Sequence, residues 1–244
     1  MDQEKFKGKL LEFISNNQYS GLVELKKILE DDKNITEEYP STPGKQNVDN
    51  IRSTGEKAFQ RAGFNNKEII LNYKKPVGSE TVKWFDLELP VILNKNPRRR
   101  CLDLIGFSDE TPVICELKYF EKTRSDNPLY AVIELLIYYY FIHCNYQKLD
   151  KHSIHHKIVA KDFKWEMIAK HPHTKLLVVA NKAYWNYWFK KMNKDILSEQ
   201  VARLGQELES EIHLFEAPNE DFVSQKNLQP TFNPFITSNI WQEI

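Results

Sequence analysis

Residues 98–120 read Arg98-Arg99-Arg100-Cys101-Leu102-Asp103-Leu104-Ile105-Gly106-Phe107, then Ser108-Asp109-Glu110-Thr111-Pro112, then Val113-Ile114-Cys115-Glu116-Leu117-Lys118-Tyr119-Phe120. Two apolar runs of strand length flank a turn of Ser, Asp and Pro, which predicts a β-hairpin. Charge interrupts both runs: Asp103 in the first, Glu116 and Lys118 in the second. Strand side chains alternate in direction, so Glu116 and Lys118 share a face and Leu117 takes the other. In a hairpin, Asp103 is expected across from them on that same face. Buried charges are costly unless paired or bound to a metal. Two neighbouring carboxylates attract a divalent cation, and hard oxygen ligands suit magnesium or manganese. A lysine beside them can orient and help deprotonate a metal-bound water, which is equipment for metal-assisted phosphodiester hydrolysis. A salt-bridged edge hairpin, with Lys118 neutralising Asp103 or Glu116, is the alternative reading.

Asp, a spacer and Glu-x-Lys on adjacent strands resembles the PD-(D/E)XK nuclease superfamily. Acid-x-Lys triplets alone carry little weight in a chain that is 28% charged, and Glu24-Leu25-Lys26 and Asp162-Phe163-Lys164 are further examples. Glu116-Leu117-Lys118 differs in lying on an apolar strand that follows another strand with its own Asp. The resemblance implies that Asp103 and Glu116 are metal ligands together with the Leu117 carbonyl, and that Lys118 is the lysine of the motif. Leu102 stands where the superfamily's name places Pro. The implied fold class is α/β: a restriction-endonuclease-like core whose mixed sheet, of antiparallel hairpins plus a β-α-β crossover, is flanked by helices. The implied activity is that of a Mg²⁺-dependent deoxyribonuclease, more an endonuclease than an exonuclease, in which Mn²⁺ substitutes for Mg²⁺. DNA is the implied partner, a homodimer suits a duplex cutter, and defence or repair is the implied setting. A catalytically silent nucleic-acid-binding or scaffold protein and an RNA-directed nuclease are the alternatives.

Upstream, Phe6, Leu10, Phe13 and Ile14, then Leu22, Val23, Leu25, Ile28 and Leu29, recur at helical spacing,. They predict an N-terminal helical hairpin that, with a polar linker holding Pro40, Pro43 and Gly44, occupies residues 1–47. The nuclease core is expected over 48–216 and an irregular tail packed on it over 217–244. A helix is expected from about Val48 to Ala62, ending at Gly63. In the resembled superfamily the helix before the first strand often presents a Glu to the metal, which here would be Glu56. A solvated helix Glu is the competing reading. Strands are expected at Lys67–Tyr73 and Thr81–Leu93, where Asp86 and Glu88 are further acids and Pro90 suggests a bulge or an edge. Arg98, Arg99 and Arg100, with Lys122 and Arg124 beyond the hairpin, are candidate phosphate contacts; a solvated turn explains the arginines equally well.

Ser125-Asp126-Asn127-Pro128 is a helix start, and Leu129–Ile142 is apolar nearly all round, the mark of a buried helix. Its single charge is Glu134, which needs a partner. The resembled superfamily often carries Gln-x-x-x-Tyr on this helix, and Glu134 with Tyr138 would fill that slot in support of the ligands. Residues 143–174 hold many Lys and His; His152, His155 and His156 with Cys144 suggest zinc less well than a basic surface, for there is no Cys-x-x-Cys. Lys175–Ala180 predicts a buried strand, Asp195–Glu209 a helix and Ile212–Phe215 a last strand. The aromatics from Tyr184 to Phe189 can serve as core or, with Lys190 and Lys191, stack on unpaired bases.

Lys and Arg total 34 and Asp and Glu 34, a formal net charge of zero. Nucleic-acid binding would then depend on a local basic face. No apolar run reaches membrane-spanning length, and the first residues lack the apolar segment of a signal peptide. The three cysteines read as reduced thiols, and the expected location is cytoplasmic,.

Overall fold

A computed structural model describes residues 8, 9, 11, 12, 14, 16, 56–66, 68–90, 101–120, 126–152, 163–218 and 239–244. The element order is α1 (Glu56–Asn65), β1 (Glu68–Lys74), β2 (Val77–Pro90), β3 (Cys101–Ser108), β4 (Thr111–Lys118), α2 (Pro128–His152), α3 (Glu166–Ala169), β5 (Lys175–Asn181), α4 (Lys182–Trp188), α5 (Lys194–Glu207), β6 (Glu211–Ala217) and β7 (Ile240–Glu243).

The strands close into a seven-stranded barrel in sequence order. This overturns the restriction-endonuclease-like mixed sheet flanked by helices that the resemblance implied. The closing piece is β7. It runs antiparallel to β6, with Phe215 opposite Glu243, and parallel to β1, with Leu71 opposite Trp241. An Ile-Trp-Gln-Glu segment within a tail rich in Pro and Asn gives too short an alternation to mark a strand. The remaining pairings are antiparallel from β1 through β4 and parallel for β4–β5 and β5–β6.

Two apolar cores result. The first draws on all seven strands and is the barrel interior, with Leu71, Trp84, Leu104, Leu117, Val179, Phe215 and Trp241 among its members. Phe59 and Ala62 of α1 join it. The second lies between the barrel wall and the helices, where Ile105, Ile114, Leu176 and Val178 meet Val132, Leu135, Leu136 and Ile142 of α2. With both faces covered, β4 and β5 read as nearly continuous apolar runs. The bulge in β2 between Trp84 and Asp86 resets the alternation, so that Trp84 and Leu87 both belong to the inner core,. Gly106 pairs with Trp84; a Cβ on it would lie 2.6 Å from the Lys83 carbonyl and 2.7 Å from Trp84 Cε3.

Several boundaries differ from expectation. Helix α1 continues through Gly63 to Asn65, since glycine inside a helix costs only about 1 kcal/mol, and Ala62, beside it, is anchored in the core. Helix α2 starts at Pro128, where Leu129 N–H donates to the Asn127 side chain at 2.7 Å, and runs on to His152. Ile14 is buried against the outer core. Among the aromatics of α4, Tyr184 and Trp185 are core, and the Trp185 indole donates to the Phe215 carbonyl at 2.9 Å. Among the described residues, no helix is long and apolar enough to cross a membrane.

Candidate active site

Strand β4 supplies the centre. Val113, Cys115 and Leu117 turn into the barrel, so Glu116 and Lys118 turn outward under α2. Both are buried, at 4% and 6% exposure. Lys118 Nζ lies 2.7 Å from Glu116 Oε1 and 3.2 Å from Glu134 Oε2. Tyr138, four residues along α2, donates its hydroxyl to Glu134 Oε1 at 3.3 Å. The end of β4 is held by Asn181, whose side chain accepts from Phe120 N–H and donates to the Phe120 carbonyl.

Asp103 takes a different position from the one expected across the ladder. The β3–β4 register runs from Ser108–Thr111 to Leu104–Cys115. Beyond it, the Asp103 carboxylate replaces a backbone partner: Oδ2 accepts the Leu117 N–H at 2.7 Å. Oδ1 and the Asp103 carbonyl each accept from Gln60 Nε2 of α1 at 3.1 Å. Glu56, one turn before Gln60, is exposed as a residue at the start of α1, with its carboxylate close enough to Lys118 and the Tyr119 backbone for both to favour its charged form. The Asp103 carboxylate thus caps the edge of β4 where β3 leaves it, with Glu56 beside it. The Leu117 carbonyl faces the same gap, because N–H and C=O of one strand residue point to the same neighbour.

No family model, curated protein or solved structure matches this chain.

Burial works to lower the Lys118 pKa, but Glu116 and Glu134, aided by Glu56 and Asp103, outweigh it and hold the ammonium well above the usual lysine range. Burial is the main force on the acids. It pushes Asp103 up to about 8, with Lys118 and the Leu117 N–H pulling the other way. It raises Glu116 well above the carboxylate range, aided by Asp103. Glu56 is raised for the same reason, partly offset by Lys118. Glu116 Oε2 is buried with no hydrogen-bond donor. Among the described residues one ammonium, that of Lys118, faces these four acids, an arrangement that favours held protons or a further cation,.

Among the described residues, no group of three or more His, Cys, Asp or Glu stands ready as a metal cage. Magnesium does not require one: it is commonly held by one or two carboxylates, waters and substrate phosphate. The Glu116 oxygen without a donor, the Asp103 carboxylate and the Leu117 carbonyl are each hard oxygens of the type that ion takes,.

Of the other sequence candidates, Asp86 lies apart in β2, paired in register with Ile105. Its Oδ1 accepts the Leu87 N–H at 2.8 Å, and burial pushes its carboxyl up to about 7. Arg98, Arg99, Arg100, Lys122 and Arg124 lie outside the described residues, as do His155, His156 and the side chains of His152 and Glu88. Gln60 escaped the sequence reading. Its signal was its place four residues after Glu56, on the same helix face.

Proposed function

We propose that this chain is a Mg²⁺-dependent nuclease that hydrolyses phosphodiester bonds in DNA, built on a PD-(D/E)XK-like set of side chains carried by a closed barrel. The observation that carries the reading is the buried Glu116–Lys118–Glu134 cluster beside Asp103, in which one Glu116 oxygen is unsatisfied. Asp103, Glu116 and the Leu117 carbonyl, with Glu56 at the rim, would hold the ion. When bound, Mg²⁺ supplies Lewis-acid stabilisation of the charge that develops on the phosphoryl and leaving oxygens. Lys118, fixed by two carboxylates, orients the attacking water and donates to the phosphate. Glu134 and Tyr138 hold Lys118 from the α2 side. Duplex cleavage would need two such sites, which favours a homodimer.

A second reading has specific support. Lys118 already satisfies one oxygen of each of two carboxylates, as a purely structural ion-pair network would. The protein would then bind nucleic acid or scaffold without turnover. Purified protein incubated with supercoiled plasmid, single-stranded DNA and RNA, with Mg²⁺, Mn²⁺ or EDTA, decides between them. Cation-dependent cutting that Asp103→Asn and Lys118→Ala abolish is the expected result. Intact substrates throughout would leave the structural network standing, and cutting of RNA alone would change the substrate.

A further inference from the structure

Gln60 is a polar side chain only 4% exposed, on a helix whose neighbouring residues Phe59 and Ala62 are fixed in the barrel interior. Phe59 also packs on Tyr119, ring centroids 5.6 Å apart. Burying an amide needs a hydrogen-bonding reason. An amide nitrogen has two hydrogens, and here its two acceptors both belong to Asp103: the carboxylate and the backbone carbonyl. A backbone carbonyl only accepts, so the amide must present its nitrogen. Asp103 sits where β3 has left the β4 ladder, so no strand pairing to β4 fixes it there. The Leu117 N–H and the Gln60 amide are what set the direction of its carboxylate.

We propose that Gln60 is a positioning residue: it aims Asp103 at the gap beside β4 and so sets both cation affinity and turnover at this site. The inference rests on the nuclease reading above. Glu56 and Gln60, one turn apart, make α1 the element that completes the site. Groups that orient a metal ligand from behind typically change affinity or activity by about 10–100-fold.

The test compares wild type with Gln60→Met, which keeps length and apolar bulk but removes both donors, and with Gln60→Glu, which keeps the shape. Three quantities are read: Mn²⁺ binding by electron paramagnetic resonance, kcat and KM for plasmid cleavage, and hydrogen exchange at the Leu117 amide without metal. Expected for Gln60→Met are a cooperative fold, Mn²⁺ affinity about tenfold weaker, and kcat about 10–100-fold lower at nearly unchanged KM. Faster exchange at Leu117 should accompany them, because Asp103 is free to swing from its N–H. Gln60→Glu, with two acceptors facing two acceptors, should behave no better than Gln60→Met. Variants that bind Mn²⁺, protect Leu117 and cut as wild type does would overturn the role of Gln60 while leaving the nuclease reading intact. A wild type that neither binds Mn²⁺ nor cuts would remove the nuclease reading and this inference together.

Discussion

Lys118 shows most directly how one side chain ties stability to chemistry. Removing it leaves Glu116 and Glu134 buried without their shared counter-charge, and breaking a buried pair from one side costs about 3–5 kcal/mol. Lys118→Met should therefore lower unfolding stability at pH 7 by that order in denaturant titrations. It should also slow DNA cleavage by at least about 10²-fold. A variant as stable and as active as wild type would remove Lys118 from the site. Gly106 is a purely structural counterpart. Alanine there would press a methyl against the Lys83 carbonyl and the Trp84 ring. Because a backbone atom of β2 is one of the two obstacles, the strand itself must shift, at about 1–3 kcal/mol. Gly106→Ala should melt earlier than wild type.

At the level of elements, β7 does most with least. It is four residues long and buries Trp241 completely against Trp84, ring centroids 5.8 Å apart. Trp241→Ala should cost about 3–5 kcal/mol, measured by denaturant unfolding. The strand is also tied through Glu243. His213 of β6 contacts Glu243 Oε1 at 2.6 Å and Glu211 Oε1 at 3.0 Å through its two ring nitrogens, and Lys74 N–H of β1 donates to Glu243 Oε2 at 2.7 Å. Burial works to lower the His213 pKa, but the two carboxylates outweigh it and raise it; Glu211 is lowered in turn by its bond to His213. Tyr73 lies edge-on to the His213 ring, and Lys175 and Glu80 pair beside Tyr73. A raised histidine contributes stability in full below its unfolded value of about 6.5 and loses it as pH rises through the folded value. Glu211, being lowered, contributes above its unfolded value and fades as pH falls through the folded one. Wild type should thus lose stability on the alkaline side relative to a His213→Gln variant whose pH profile is flatter there. Parallel profiles would show that the ring does not bridge the strands as a cation.

Across the whole molecule, what could be read from the sequence follows from how each feature is encoded. The β3–β4 hairpin and the helix between β4 and β5 announce themselves by apolar runs, a polar turn and a capped start. Asp103, Glu116, Lys118 and Glu134 were visible because charge inside an apolar run is unusual, and the structure gathers all four. Ring closure was not visible, since it depends on β7 returning from more than twenty residues beyond β6 to lie between β6 and β1, and long-range pairing leaves no local pattern. Gln60 was hidden because an uncharged polar residue on an amphipathic helix is ordinary. Asp103 lies just past the last β3–β4 register pair, Leu104 with Cys115, a fraying of the hairpin that no local pattern encodes. Size-exclusion chromatography with light scattering should find a dimer if duplex cleavage is the activity, and a monomer would point to single-stranded substrates.

A sheet joined to itself offers visiting chains no selvedge. Past Leu104 and Cys115, where β3 leaves β4, the Asp103 carboxylate already holds the Leu117 N–H that a visiting strand would need. A visiting strand finds that donor taken, and the closed wall favours self-association through helices or loops over extension of the sheet,.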